Sequence, residues 1–362
     1  MQELNSKLAR LYGAMDAQGV TAVHLSQASS FAWITGGASS YINTASSYGA
    51  AQALITRKRH SILTTNIEAP RIAQEEGLEE QGWEVIGEPW YEEGAALARL
   101  TAGMSVGADA PGPDQTDLGG EIAWLRSVQT EPEQARFRTL GRLCAEAMDE
   151  AIRRVRPGMS EQELAALLAD ATQRRGVQAI VNLIATDERI FYYRHPLPTD
   201  KRLERYAMLV LCGRKAGQVC SITRLVHFGP LPDELAHKLQ AVAAIDAAII
   251  AKTRPGRPLS YVFDDIRQAY ADTGFPDEWK LHHQGGPAGY EPREVIVTPD
   301  FSRPVEANQI YAWNPSITGV KSEDTILVGA QGNEIITAID GWPVINVDVD
   351  GALIARPGIL IV

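Results

Sequence analysis

Titratable side chains and glycines are concentrated in one segment, residues 280–294, with the sequence K-L-H-H-Q-G-G-P-A-G-Y-E-P-R-E. Histidine exchanges protons near neutral pH, arginine binds carboxylates through paired hydrogen bonds, and glycine lets the backbone approach a ligand closely. The segment therefore has the side chains of a reaction centre, although a polar hairpin held by an ion pair could contain them too. Its candidate substrate-binding residues are His282, His283, Glu291, Arg293 and Glu294.

The two histidines of this segment are adjacent in the sequence, and neighbouring side chains of a strand point to opposite faces of the sheet. We therefore expect at most one of His282 and His283 to face a given pocket. For the same reason we expect no metal site made from this pair. Which of the two faces inward stays open.

A second segment, residues 313–328, reads W-N-P-S-I-T-G-V-K-S-E-D-T-I-L-V. Lys321 and Glu323 lie two positions apart, so they share one face of a strand, while Asp324 points the other way, toward a structural partner. We predict that the two segments are strands of one sheet and line one pocket. The candidate site residues here are Glu323, as a catalytic group, and Lys321 and Asn314, as substrate-binding groups.

His195 lies in the sequence Y-Y-R-H-P-L-P-T, residues 192–199, where two prolines favour an extended loop. A histidine on such a loop, beside Arg194, is a candidate general acid or base, and the alternative is an exposed imidazole without a role. Arg224, in the sequence S-I-T-R, is a candidate substrate-binding residue with a structural role as its alternative.

Known cofactor and nucleophile motifs are absent from the sequence. It contains no phosphate-binding G-x-x-x-x-G-K-[ST] loop, no G-x-S-x-G nucleophile elbow and no H-E-x-x-H zinc motif. We therefore expect no cofactor, and any catalysis has to rely on acid–base and electrostatic chemistry.

The composition is that of a globular protein with two domains: 362 residues, 45% hydrophobic and 22% charged. A net charge of -11 without a basic run argues against nucleic acid or an anionic membrane as partner. Three cysteines without a C-x-x-C pair are typical of reduced thiols, and the N-terminus has a helical pattern instead of a signal peptide. These features predict a cytoplasmic protein.

The first 130 residues alternate short apolar runs with helical patterns, as expected for an α/β domain. Predicted helices span residues 3–18, 70–76, 92–100 and 117–127, and predicted strands span 21–25, 53–56, 61–64, 83–86 and 105–108.

The remainder, residues 131–362, contains one pattern twice. A helix, the sequence R-P-G, a second helix and a glycine recur at a separation of 98 residues, from Arg156 to Arg254 and from Gly176 to Gly274. Ser160 and Glu163 form a predicted capping box at the start of the first copy's second helix. Two matches at one offset favour an internal duplication with a site at the seam. Strands are predicted at 179–185, 207–211 and 218–223, and again at 295–298, 309–313 and 324–328.

The order of these features resembles the M24 family, which includes aminopeptidase P, prolidase, methionine aminopeptidase and creatinase. The resemblance covers the whole chain and rests on R-P-G-M-S-E, the His195 loop, S-I-T-R and S-E-D-T. It implies an α/β N-terminal creatinase/prolidase-like domain, residues 1–130, and an α+β C-terminal "pita-bread" domain of two pseudo-symmetric halves, residues 131–362.

Peptidases of this family bind two divalent metals through two aspartates, one histidine and two glutamates. Aligned on their motifs, the first aspartate falls at or next to Leu211, the second on Ser221, and the histidine on or beside Gly286. The first glutamate falls on Asn314, and only the second is retained, as Glu323. Arg293 replaces a further histidine of the family pattern, so the resemblance implies that the metal ligands are lost.

Creatinase is the precedent for metal-free work in this family, and it uses a histidine of the loop that holds His195 here. The resemblance thus implies a homodimeric hydrolase that cleaves a C–N bond of a small amino-acid-like or zwitterionic substrate, with His195 as acid and base. Two alternatives stay open: an Xaa-Pro metallopeptidase with an atypical site, and a binding protein without catalytic activity.

Overall fold

The computed structural model describes residues 2–92 and 94–362. The chain divides into two compact units, which we describe separately. The first comprises Met1–Glu133 with Ala216–Gln218, and the second comprises Gln134–Lys215 with Val219–Val362.

The first unit is built on a six-stranded mixed sheet, in the order β4-β3-β2-β1-β5-β6. Its strands are β1 (Ala22–Gln27), β2 (Tyr48–Thr56), β3 (His60–Thr65), β4 (Glu84–Glu88), β5 (Val106–Ala108) and β6 (Thr116–Asp117). Its helices are α1 (Gln2–Gln18), α2 (Ala28–Ile34), α3 (Ala69–Gln74), α4 (Ala95–Leu100) and α5 (Gly119–Ser127). The predicted α/β class is confirmed. The helix expected at residues 92–100 is α4, and residue 93 lies outside the described residues.

The second unit contains two helix pairs and two four-stranded sheets, ordered β18-β9-β8-β7 and β10-β11-β14-β15. The helices are α6 (Glu131–Arg153), α7 (Glu161–Gln173), the short α8 (Glu188–Tyr192), α9 (Asp233–Lys252) and α10 (Leu259–Asp272), and a 3-10 helix spans Glu278–Leu281. The first sheet is formed by β7 (Gln178–Thr186), β8 (Tyr206–Lys215), β9 (Gln218–His227) and β18 (Leu360–Ile361).

The second sheet is formed by β10 (Gly285–Ala288), β11 (Ile310–Trp313), β14 (Asp324–Val328) and β15 (Asn333–Ile335). Two hairpins complete the unit: β12 (Ser316–Ile317) with β13 (Val320–Lys321), and β16 (Val344–Val349) with β17 (Ala352–Pro357). Each long helix pair thus precedes its own sheet, as the repeated sequence pattern predicts. The two glycine- and charge-rich segments do contribute strands to one sheet, because β10 pairs with β11 and β11 pairs with β14.

One predicted strand is wrong. Residues 295–298 are not a strand, and the strand that pairs with β11 is instead Gly285–Ala288. The glycines are required there because Gly286 has a φ of +155° and a Cβ on it would lie 2.3 Å from the carbonyl oxygen of Val295. The two glycines therefore allow β10 to run between β11 and residues 295–297. Glycine has a low strand propensity, so propensity alone predicts a loop at this position.

The second unit packs around one apolar core that receives side chains from α6, α7 and both sheets, among them Phe137, Met148, Leu168, Leu211 and Leu327. The predicted capping box at the start of α7 is confirmed: Ser160 Oγ accepts from the Glu163 amide at 3.2 Å, and Glu163 Oε2 accepts from the Ser160 amide at 2.7 Å. None of the helices within residues 2–92 and 94–362 combines the length and apolar character needed to cross a bilayer.

Replacing Ser160 by alanine removes the acceptor for the Glu163 amide, and we expect the free energy of unfolding to fall by about 1 kcal/mol. Urea denaturation of the full chain, followed by tryptophan fluorescence, measures the loss. Glu163→Gln is the matched control. Glutamine keeps an acceptor for the Ser160 amide, so this variant should lower the free energy of unfolding by less than Ser160→Ala does. Equal urea midpoints for the wild type and Ser160→Ala would contradict a stabilising capping box at the start of α7.

Candidate functional site

Three histidines of the second unit meet in one cluster. His195 lies in the loop after α8, and His282 and His283 lie in a bend between the 3-10 helix and β10. His282 Nε2 is 3.1 Å from His195 Nε2, and one ring nitrogen from each of the three residues lies within 4.8 Å of the others. The expectation that His282 and His283 face opposite sides is wrong. Side-chain alternation holds along a regular strand, and these residues are not part of one.

An ion pair connects the two segments that supply the histidines. Arg194 donates to Glu278 Oε2 at 2.8 Å and to Thr318 Oγ1 at 3.0 Å, and the same Glu278 oxygen accepts from the Thr318 amide. Gln284 in turn donates to the His282 carbonyl at 2.6 Å and accepts from the Tyr270 hydroxyl. The histidine positions are therefore held by side chains from the loop after α8, the 3-10 helix, α10 and the β12–β13 turn.

Glu323 is the centre of a second, buried cluster, in which it pairs with two cations. Glu323 Oε1 accepts from Arg293 at 2.9 Å, and Glu323 Oε2 lies 3.0 Å from Lys321 Nζ and also accepts from Thr223. The exposed fractions of the three charged side chains are 9% for Arg293, 6% for Lys321 and 3% for Glu323. Both carboxylate oxygens are thus engaged, and the shared face of Lys321 and Glu323 is as predicted.

Two side chains of β8 and β9, in the first sheet of the second unit, lie next to this cluster. Arg293 donates to Ser221 Oγ at 3.0 Å, and Ser221 Oγ lies 3.3 Å from Cys212 Sγ. Leu211 belongs to the apolar core, so the residue that faces the cluster from β8 is its neighbour Cys212. Sequence reasoning missed Cys212, although alternation along β8 with Leu209 and Leu211 as core residues could have found it.

The other candidates make different contacts. Arg224 forms a buried ion pair with Asp324 at 2.8 Å and donates to backbone carbonyls, which is the structural role left open for it. Glu294 closes a turn by accepting from the amides of Tyr290 and Glu291. The remaining placements are Glu291, which is half-buried in that turn, and Asn314, which is buried beside Gly285 with an Oδ1 atom that has no hydrogen-bond partner among the described residues.

The charges of the cluster explain the proton affinities of its members. Burial alone raises the pKa of Glu323, but the charges of Lys321 and Arg293 and the hydrogen bond from Thr223 outweigh it and lower the pKa to about 2. Burial, reinforced by the charge of Lys321, lowers the pKa of His195 and takes that of His282 to about 2. Burial and the charge of Arg293 lower the pKa of His283 to about 4. At neutral pH the site therefore holds an ionised glutamate and three neutral imidazoles.

Possible metal ligands are few in this site. Within residues 2–92 and 94–362, the one group of three or more histidine, cysteine or acidic side chains close enough to share an ion is His195, His282 and His283. Glu323 is instead surrounded by a lysine, an arginine and hydroxyls. Gly286, on or beside which the family resemblance places a histidine ligand, has no room for a side chain because of the carbonyl of Val295.

Comparison with known proteins gives one family and one fold. The sequence model of metallopeptidase family M24 matches residues 135–330. An uncharacterized peptidase of Staphylococcus aureus strain MW2 is 25% identical over 235 residues, an alignment that covers 61% of this chain and 65% of the relative. The match therefore spans slightly less than two thirds of that relative.

Among solved structures, a prolidase from Pyrococcus horikoshii aligns with a TM-score of 0.78 at 19% identity, over 92% of this chain and 99% of that one. An Xaa-Pro dipeptidase from Bacillus anthracis aligns with a TM-score of 0.79 at 18% identity, over 99% of this chain and 100% of that one. At these identities the likeness concerns the fold, which agrees with the predicted two-domain creatinase/prolidase-like architecture.

The depressed histidine pKa values predict a pH-dependent stability. An unfolded histidine, with a pKa of 6.5, binds protons more readily than His283 or His282, whose folded pKa values are about 4 and about 2. Stability that is present above pH 6.5 is therefore lost as the pH falls toward 4, with a slope of up to about 1.4 kcal/mol per pH unit for each histidine. Urea unfolding of the full chain across this range measures the slope.

The double variant His282→Gln/His283→Gln removes these two groups and should flatten the slope. His237→Gln is the control, because His237 is an exposed histidine on α9 and its replacement should leave the slope as in the wild type. Identical slopes for the double variant and the wild type would contradict the pKa assignment.

Proposed function

This chain belongs to metallopeptidase family M24, and from that premise we propose that it hydrolyses a C–N bond of a small amino-acid-like substrate without the dinuclear metal centre of that family. The observation that carries the proposal is the buried Arg293–Glu323–Lys321 cluster beside the neutral imidazole of His195.

A pair of divalent metals does not fit these residues. Several carboxylates tolerate one another in a pocket when dications neutralise them, but here Glu323 is already neutralised by two side-chain cations. Ser221 and Asn314 offer uncharged oxygens at two ligand positions, and Gly286 offers none at a third. A dication at Glu323 would have to displace Lys321 or Arg293 and then lie beside the displaced charge.

His195 has the properties of a general base. It lies in an exposed loop, and its lowered pKa keeps the imidazole unprotonated at neutral pH. It can accept a proton from the water that attacks the substrate carbon, and it can return that proton to the leaving nitrogen. The hydrogen bond between His282 Nε2 and His195 Nε2 holds the ring in place. This contact engages His195 Nε2, so the basic atom is either Nδ1 or, after one of the two rings turns, Nε2.

Glu323 acts in this proposal as the anchor of the cations. Its pKa of about 2 makes it a poor proton donor at neutral pH, and both of its oxygens are engaged. Arg293 and Lys321 are consequently held toward the histidines, where they can bind a substrate carboxylate. Arg293 Nε has no hydrogen-bond partner among the described residues and is available for this contact.

Two proposals do not depend on the site: the family resemblance implies a homodimer, and the sequence composition favours a location in the cytoplasm. The three cysteines are unpaired and buried, which is compatible with a reducing compartment. Static light scattering of the purified chain would report twice the monomer mass of 39.4 kDa for the dimer.

We expect His195→Ala to lower kcat by about 100-fold or more with any substrate found in a screen of small amides and dipeptides, because it removes the general base. Release of free amine measures turnover. His237→Ala is the matched control, since it removes an exposed histidine outside the site. Unchanged turnover in His195→Ala would contradict the mechanism, and a ligand that is bound and recovered intact in every condition would favour the non-catalytic alternative.

We also expect protein purified without chelator to contain less than one equivalent of transition metal per chain, and we expect chelators to leave turnover unchanged. Elemental analysis decides this. Two equivalents would restore the Xaa-Pro metallopeptidase alternative. One equivalent that disappears in His282→Gln would place a single ion at the three histidines and would contradict metal-free catalysis.

A further inference from the structure

The charge balance of the site selects among amino-acid-like substrates. Two buried cations, Arg293 and Lys321, share one carboxylate, that of Glu323, so the cluster carries one uncompensated positive charge. The three histidines add none, because their pKa values are lowered in part by these same cations. The positive field therefore extends from the cluster to the rings where a substrate would lie.

Two nitrogen atoms of the site are buried without a hydrogen-bond partner among the described residues: Arg293 Nε and His283 Nδ1. The first is always a donor, and the second is a donor in one of its two tautomers. Buried donors without acceptors are unfavourable, and a ligand oxygen that accepts from them relieves that cost. Both the net charge and the open donors thus favour an anionic group.

A free ammonium group finds no carboxylate to pair with among these contacts, and the open acceptor on Asn314 is an uncharged amide oxygen, which can also accept from an amide N–H. Glu323 has both oxygens engaged, and Glu278 is occupied by Arg194 and Thr318. Asp324 is directed into the ion pairs with Arg224 and Arg356. Glu294 accepts from the backbone amides of Tyr290 and Glu291. Glu291, half-buried in the same turn, is the remaining carboxylate near Arg293 in the sequence, and it is therefore the residue to test.

We infer that the site takes anionic substrates whose nitrogen is uncharged, that is, N-acyl or N-carbamoyl derivatives of small amino acids, and that it disfavours peptides with a free α-ammonium group. This inference rests on the proposed function and narrows its substrate class. The carboxylate of the substrate binds Arg293 and Lys321, and the acyl carbon faces His195.

The reaction balances without a co-reactant. Water adds to the acyl carbon as His195 takes one of its protons, the C–N bond breaks, and that proton passes to the nitrogen. The acyl group leaves as a carboxylate, and the amine takes up the second proton to become an ammonium. The product amino acid then carries the positive charge that the site disfavours, which favours its release.

Binding of three probes of similar size tests the inference without reliance on turnover. Isothermal titration of the full chain is carried out with N-acetylglycine, an anion with an amide nitrogen, with glycylglycine, a zwitterion, and with glycinamide, a cation. We expect N-acetylglycine to bind about tenfold or more tightly than glycylglycine, and glycinamide to bind most weakly. Equal or tighter binding of glycylglycine overturns the inference.

The variants Lys321→Met and Lys321→Arg identify the source of the selectivity. Methionine removes the charge and should reduce the preference for N-acetylglycine, whereas arginine keeps the charge and should retain most of it. Glu291→Gln tests whether that carboxylate binds the ammonium group of glycylglycine. A clear loss of glycylglycine affinity would show that Glu291 binds the ammonium group and would overturn the inference.

The two proposals fail in different ways. Selective binding of N-acetylglycine without any hydrolysis across a panel of N-acyl amino acids supports the inference about charge and contradicts the proposed hydrolase. Hydrolysis of free dipeptides without a preference for the anion overturns the inference and leaves the hydrolase in place.

Discussion

The site depends on one buried ionic contact, the carboxylate of Glu323 held between Arg293 and Lys321. A carboxylate with 3% exposure is costly to bury alone, and each cation is costly to bury without it. The three groups therefore stabilise one another, and the removal of one leaves an uncompensated charge. Because the ratio is two cations to one anion, the contact also sets the sign of the electric field in the site.

A second buried network holds this contact in place from the opposite side of the strand. Lys321 and Glu323 point toward the histidines, whereas Ser322 and Asp324 point away, as the period of two requires. Arg356 from the β16–β17 hairpin pairs with both Asp324 and Asp246 of α9, and Ser322 donates to the same Asp246. The C-terminal hairpin is thus tied to the strand that carries the functional carboxylate, although it is distant from it in the sequence.

The family and the site give different information about function. Membership of family M24 and a prolidase-like fold describe the scaffold, and the same scaffold can support different chemistry when its site changes. In the described residues, the buried carboxylate of Glu323 pairs with two fixed cations, Arg293 and Lys321. This excess of fixed positive charge is the physical basis of our proposal that the chain uses the same scaffold differently.

The sequence by itself determined the features that depend on local patterns. The α/β and α+β classes, the repeated helix pairs, the capping box of Ser160 and Glu163, and the shared face of Lys321 and Glu323 all follow from periodicity and from residues a few positions apart. The family resemblance rests on short motifs, so it could also be recognised from the sequence alone.

Only the tertiary structure decided which distant groups meet. His195 and His282 are 87 positions apart, and they lie together because Arg194 and Glu278 join their segments. His283 joins them because it lies in a bend, where the alternation rule for strands does not apply. Leu211 packs in the apolar core, whereas its neighbour Cys212 contacts Ser221 at the charged cluster. The strand β10 can form because its glycines fit where side chains cannot. These outcomes depend on space and contacts across the fold, which residue spacing along a chain does not encode.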